Sequence, residues 1–202
     1  MDTYLHQKNF CGAAPDRSAG IYIGIPFCPT RCVYCSFASN QVPESEIVKY
    51  LAALHKEIEY TGRRMKECGI TPETIYIGGG TPTTLRADQL KALIEQIKNF
   101  FDLSKLKEFT IEAGRPDTIT DEKLETIKKQ GIQRISINPQ SMKQHTLDLI
   151  GRSHKPEDIT SAFALASSYR FQSINADIIA GLPEENTEDF INTLEELIGL
   201  NP

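Results

Sequence analysis

Tryptophan is absent from this 202-residue chain, and histidine occurs only four times. No apolar run approaches the roughly 20 residues that a membrane-spanning helix requires. Met1 to Gly20 holds no continuous apolar core of the kind a signal peptide carries. A basic excess is missing too: the formal net charge is −5, whereas a nucleic-acid footprint needs a basic stripe. These absences predict a protein without a membrane span and without a nucleic-acid partner. Cysteine is present five times but in no paired pattern, which fits a reducing cytoplasm better than a disulfide scaffold. Residues of hydrophobic type make up 40% of the chain, enough for one sizeable core in a length too short for two large domains.

The stretch that stands out is IYIGIPFCPTRCVYCSF, residues 21 to 37, in which a short apolar segment runs into Cys28, Cys32 and Cys35. Such gaps let three thiolates converge on one small inorganic object, and soft thiolates select zinc, copper(I) or an iron–sulfur cluster. Structural zinc wants four closed ligands, and His6, Cys11, His55 and Cys68 stand at no spacing that completes the set. A four-iron cubane on three cysteines keeps one iron open for a non-protein ligand.

Downstream, strand and helix patterns alternate. Residues 1 to 20 are polar and aperiodic and read as a flexible lead-in, with 21–202 as the core. Ile21, Ile23 and Ile25 alternate with Tyr22 and Gly24 and are closed by Pro26, a strand pattern. Ile47, Leu51, Leu54 and Ile58 then repeat at helical spacing up to about Cys68, with Gly69 as terminator. A second strand is expected from Thr74 into Gly78, Gly79 and Gly80, and a second helix through Leu90, Leu93, Ile94 and Ile97. Further strands are expected at Phe109–Ala113, Arg134–Asn138 and Ile174–Ala180. Each precedes a helix, the three opened by Thr120, Pro156 and Thr187 respectively. Five strand-then-helix units imply a parallel sheet, either doubly wound or barrel-like.

In parallel α/β proteins ligands bind at the carboxyl ends of the strands. This chain places there Cys28, Cys32 and Cys35, then Gly78 to Thr81, Glu112 and Arg115, Asn138 and Gln140, and Asp177. Glycines at a strand end let the backbone approach a ligand closely. Asp177 lies in an otherwise apolar strand, so its carboxylate must find a partner or face the site.

Cys-x3-Cys-x2-Cys with Tyr34 before the last cysteine resembles the signature of the radical S-adenosylmethionine (SAM) enzymes. The words Y-I-G-I-P-F-C, C-S-F, G-G-G-T-P-T at 78–83 and I-I-A-G-L-P at 178–183 resemble the oxygen-independent coproporphyrinogen III oxidase (coproporphyrinogen dehydrogenase) family and its haem-chaperone relatives, over roughly residues 20 to 202. The resemblance implies a partial (βα)6 TIM-like barrel of parallel strands, ending here after the fifth βα unit. It implies a [4Fe–4S] cluster on Cys28, Cys32 and Cys35, one SAM molecule with a second possible, and reductive cleavage of SAM to a 5′-deoxyadenosyl radical. By the same resemblance Gly79, Gly80 and Thr81 contact the methionine moiety and Glu112 accepts a hydrogen bond from SAM. Tyr22 approaches the cofactor and Tyr34 packs near its adenine, while Gln140, Arg152 and Asp177 hold the second SAM.

The implied function is oxidative decarboxylation of coproporphyrinogen III propionates to vinyl groups, or alternatively haem binding and transfer by a chaperone. The implied partners are a porphyrinogen or haem and an electron donor. Two positions bear on the choice. Phe37 stands where the oxidase proper carries a further cysteine, whereas Glu112-Ala-Gly-Arg-Pro-Asp resembles the dehydrogenase-type branch of Gram-positive bacteria.

Overall fold

A computed structural model describes residues 17–202; His6, Cys11 and the rest of the lead-in up to residue 16 lie outside it. The core is one five-stranded sheet in the order β1-β2-β3-β4-β5, every neighbouring pair parallel. The strands are β1 (Ser18–Ile25), β2 (Thr71–Gly79), β3 (Glu108–Glu112), β4 (Arg134–Gln140) and β5 (Ser173–Ile178). The helices are α1 (Glu44–Cys68), α2 (Ala87–Phe100), α3 (Asp121–Lys129), α4 (Gln144–Leu149), α5 (Pro156–Ser168) and α6 (Thr187–Gly199). Short 3-10 turns at Pro82–Thr84 and Pro116–Thr118 follow β2 and β3.

That strand order contains no reversal. A doubly wound sheet must reverse its order to put helices on both faces, whereas successive right-handed crossovers in one direction put every helix on the same face. The chain therefore takes the barrel-type course, an open arc of a TIM-like wall. One face of the sheet packs on helices, and the other is left for the site.

Residue alternation sorts the two faces. Ile23, Ile25, Ile75, Ile77, Ile111, Ile135 and Ile137 point to the helices and are buried with Leu51, Leu90, Leu93, Ile97, Leu124 and Phe163. Each such side chain contributes roughly 1.5–3 kcal/mol of burial. The opposite face carries polar groups bonded to one another along the wall. Arg134 reaches Glu108 at 3.4 Å and Asn175 at 3.1 Å, Ser136 donates to Asn138 at 2.8 Å, and Tyr76 donates to Glu112 at 2.5 Å.

Element ends follow local chemistry. Gly69 ends α1 in the left-handed region at φ 66°, and its N–H bonds the Lys66 carbonyl. The Thr120 hydroxyl accepts from the Lys123 amide at the start of α3, and Asn186 with Asp189 forms a reciprocal cap on α6. Three departures from expectation are instructive. β1 begins at Ser18, inside the stretch read as lead-in, because Ser18 and Ala19 pair with Thr71 and Pro72. β4 runs on past Asn138 through an irregularity to Gln140, which sits at φ 70°. Six-residue α4 is too short to show a helical repeat. Among the described residues no helix is long and apolar enough to cross a membrane.

α1 and α2 meet at Gly62, where an added Cβ would stand 2.5 Å from the Phe100 carbonyl oxygen. Glycine to alanine inside an exposed helix gains about 1 kcal/mol. Here the obstructing atom is backbone and cannot swing aside, so overpacking of about 1–3 kcal/mol dominates. Gly62→Ala is expected to lower the urea midpoint with an unchanged m-value, a net loss of up to about 2 kcal/mol. A raised midpoint would show that the helices separate freely.

Candidate cofactor site

Pro26 stops β1 because it offers no N–H to the ladder, and the chain leaves the sheet as a loop closed on itself. The Cys28 amide donates to the Asn40 carbonyl at 3.2 Å and the Asn40 amide to the Pro26 carbonyl at 2.8 Å. Phe27 anchors the loop's first turn in the core, edge-on to Tyr50 at 5.2 Å, and the Tyr50 hydroxyl donates to the Gly24 carbonyl at 2.6 Å.

The glycine turn after β2 is stapled to the same loop. Gly80 donates to the Ile25 carbonyl at 2.8 Å, Thr81 donates to the Phe27 carbonyl at 2.7 Å, and the Thr81 hydroxyl lies 3.3 Å from the Cys28 sulfur. Close approach explains the glycines: a Cβ on Gly80 would stand 2.6 Å from the Phe27 oxygen and 2.9 Å from the Cys28 sulfur. Gly79 adds a φ of 113° that L side chains rarely adopt.

On the other side the loop docks against the segment after α4. The Val33 amide donates to the Ile150 carbonyl at 3.1 Å, and Arg152 donates to the Tyr34 hydroxyl at 2.9 Å and to the Gly114 carbonyl at 3.1 Å. Arg152 is buried and commits three of its five N–H groups to the chain, leaving one each on Nη1 and Nη2 for a ligand. Arg115, also buried, forks onto Asp117 at 3.0 and 3.1 Å, donates to Ser153 at 2.9 Å and points Nη1 at the Cys32 sulfur, 3.8 Å away.

A cavity of about 390 Å3 opens at this rim, lined by Tyr22, Pro26, Phe37, Tyr50, Gly79 and Glu112 among others. That volume suits a small molecule. Tyr22 is exposed and stacks on Tyr76 with centroids 5.9 Å apart. Burial raises the Glu112 carboxyl above its ordinary value, and Asp177 adds to this, while the Tyr76 hydroxyl and the Gly79 amide draw it back. Asp177 accepts from Asn175 at 2.6 Å and from Ser136 at 3.5 Å, so its partners are the neighbouring polar wall. Gln140 is buried at the β4 irregularity, its backbone carbonyl taking the Ile179 amide at 3.1 Å.

Burial also raises the Cys28 thiol, opposed by Thr81 and Arg115. All the described cysteines are free thiols. Among the described residues no three His, Cys, Asp or Glu side chains close on one point as a single metal ion demands. A cubane makes no such demand, since each of its three cysteines takes a different iron. The arrangement fits such a group: three cysteines on one closed loop, a cation and a hydroxyl beside two of the sulfurs, and a glycine cradle that any Cβ would fill.

Strand ends placed the cysteines, the glycine turn, Glu112 and Arg115 at this rim, the family resemblance added Tyr22, Tyr34 and Arg152, and the structure brings them together. It adds Tyr76, Asp117, Ser153 and Tyr50. Tyr76 could have been found from strand alternation, being two residues before Gly78 and in register with Tyr22. His154, next to this cluster, is buried, and neither ring nitrogen has a hydrogen-bond partner among the described residues. Burial, with Arg152 close by, pushes its pKa from 6.5 down to about 4. Between those values the unfolded chain takes up a proton that the folded chain refuses, so stability falls as pH drops from 6.5 to about 4. The full loss would be about 3 kcal/mol. Urea midpoints measured across that window should decline in the wild type and lose most of this slope in His154→Leu.

Fold and rim together define a class: a parallel α/β wall with a three-thiolate loop and a backbone cradle for a small cofactor at its carboxyl end. The chain belongs to the radical SAM superfamily, whose model matches residues 22–197. That superfamily uses a [4Fe–4S] cluster and S-adenosylmethionine. The chain is 43% identical over 185 residues to the oxygen-independent coproporphyrinogen-III oxidase-like protein HemZ of Bacillus subtilis, covering 90% of this chain and 37% of that protein. It is 35% identical to the heme chaperone HemW of Bacillus subtilis, covering 89% and 47% respectively. The structure of coproporphyrinogen III oxidase (HemN) from Escherichia coli superposes with a TM-score of 0.83 at 28% identity, over 100% of this chain and 45% of that one. The chain thus spans about half or less of the length of the relatives it matches.

Proposed function

We propose that this chain forms the cofactor-binding part of an oxygen-independent enzyme of haem biosynthesis in the cytoplasm. The reaction would be oxidative decarboxylation of coproporphyrinogen III propionates: each loses one hydrogen atom to the adenosyl radical, CO2, and one further electron to a one-electron acceptor, to become a vinyl group. The observation that carries this reading is the convergence of the cysteine loop, the Gly79-Gly80-Thr81 cradle and Glu112 on one rim, joined by the 2.8 and 2.7 Å backbone bonds to Ile25 and Phe27. Cys28, Cys32 and Cys35 would hold the cluster, which with bound SAM supplies a hydrogen-abstracting 5′-deoxyadenosyl radical.

The remaining roles belong to the protein, whose share is orientation and exclusion of water. Gly79, Gly80 and Thr81 would grip the methionine moiety of SAM, and Glu112 would accept from its ammonium group. Tyr22 and Tyr34 would bracket the cofactor. Gln140, Arg152 and Asp177 would receive a second SAM, with the two free N–H groups of Arg152 suited to a carboxylate. An electron donor is required.

The haem-chaperone reading draws support from the HemW similarity and from Phe37, an exposed aromatic at the cavity mouth. An anaerobic assay of the whole protein with coproporphyrinogen III, SAM and a reductant separates the two. Vinyl product with consumption of SAM supports the oxidase. Stoichiometric haem binding with no product supports the chaperone and overturns the proposal.

A further inference from the structure

We infer that Arg115 sets the reduction potential of the iron–sulfur cluster by donating an N–H to the sulfur of Cys32, an inference that rests on Cys28, Cys32 and Cys35 holding that cluster. Arg115 is held as a fixed pointer. Its Nε and Nη2 fork onto Asp117 at 3.0 and 3.1 Å, Nη2 also reaches Ser153 at 2.9 Å, and Nη1 is left aimed at Cys32 at 3.8 Å. That is the range of a long bond to sulfur.

The pair is oriented by burial. The guanidinium side chain is 3% exposed and the Asp117 side chain 32%. A pair serving stability alone gains nothing from sinking its cation and leaving its anion near water, because desolvating a cation costs several kcal/mol. Negative charge on the inner side of Arg115 offsets that cost, and the Cys32 sulfur, which is a thiolate once it holds the cluster, lies there. The Cys28 sulfur by contrast lies against a neutral hydroxyl, that of Thr81, at 3.3 Å.

The elements that carry this contact are separate in sequence and meet only here. Arg115 immediately precedes the 3-10 turn after β3 and Asp117 lies within it, Ser153 belongs to the segment between α4 and α5, and Cys32 lies on the loop after β1. The Cys32 backbone in turn packs on Gly151, where an added Cβ would lie 3.7 Å from the Cys32 Cα. Cys32 therefore cannot drift from the guanidinium without disturbing the seat of Arg152.

The direction of the effect follows from charge. Reduction adds an electron to the cluster and its thiolates, and a cationic N–H donor favours the more negative state, so the potential rises. Low local dielectric keeps the interaction from being screened. Arg115 acts here as a tuning and positioning residue and does not itself react.

The test is a redox titration of the reconstituted chain, followed by electron paramagnetic resonance, with circular dichroism as the control for folding. Arg115→Gln/Asp117→Asn removes both charges of the ion pair at once, so neither of the two is left without the other. We expect it to bind the cluster and to show, at a fixed potential, about a tenfold lower ratio of reduced to oxidised cluster, a midpoint lower by about 59 mV for a one-electron couple. Arg115→Lys keeps the charge but loses the fork and should give a smaller downward shift, which carries the test if the double variant does not assemble. Midpoints equal to wild type in these variants, with the cluster present, overturn the inference alone. Failure of the wild-type chain to take up any cluster overturns the cofactor assignment and this inference together.

Discussion

Cys32→Ala, reconstituted anaerobically with iron and sulfide and reduced with dithionite, should give no four-iron resonance, while the wild-type chain gives one that shifts when SAM is added. The other two cysteines cannot hold the group alone, since a cluster bound by three thiolates already has one iron without a protein ligand. Cys32 is the sharpest choice because it is buried, accepts the Cys35 amide at 3.2 Å and faces Arg115. Removing it empties the centre of the loop while the bonds at the loop base, between Pro26, Cys28 and Asn40, persist. The variant should therefore fold with a wild-type circular dichroism spectrum. SAM cleavage should fall by more than about 100-fold, beyond the 10–100-fold that loss of an outer-shell partner costs a metal site. A resonance of wild-type intensity in Cys32→Ala would remove Cys32 from the ligand set, and stoichiometric zinc in the wild type would make the loop structural.

Gly80→Ala should be nearly as damaging with no ligand touched. Its Cβ would enter a space only 2.6 Å from the Phe27 oxygen and 2.9 Å from the Cys28 sulfur. Neither neighbour can give way cheaply, because Phe27 is packed against Tyr50 and the Phe27 carbonyl already accepts the Thr81 amide. The loop must lift, at an overpacking cost of about 1–3 kcal/mol. The displacement also breaks the cradle, so SAM affinity, measured by calorimetry on the reconstituted chain, should weaken by more than about tenfold, equivalent to 1.4 kcal/mol. Unchanged SAM affinity would show that the cofactor does not lie against this turn.

Much of this site could be read from one sequence because its chemistry is contiguous. Three cysteines within eight residues and three glycines in a row announce themselves by spacing. So do the isoleucines of the outer face, whose alternation marks the strands. The polar inner wall was harder to see. Arg134, Ser136 and Asn175 look like ordinary half-exposed strand residues until parallel pairing sets Arg134 against Ser173 and Ser136 against Asn175. Arg115 was visible as a strand-end candidate and as a branch marker, with no partner assigned. Its aim at Cys32 depends on a turn, on Asp117 two residues away and on Ser153 in a distant loop, a conjunction that no periodicity encodes. Gln140 was placed at the rim, but its positive φ and the β4 irregularity that produces it are consequences of register.

The two faces of the sheet also separate two kinds of selection. Burial against the helices is supplied by the isoleucine face, while the inner wall bonds many of its polar groups to one another. A substitution at Asn138 or Asp177 therefore draws little on the free energy that keeps the chain folded. The inner wall is free to drift toward new substrates while the outer wall holds the scaffold constant. Relatives named as differently as a coproporphyrinogen-III oxidase-like protein and a heme chaperone match this same part of the chain.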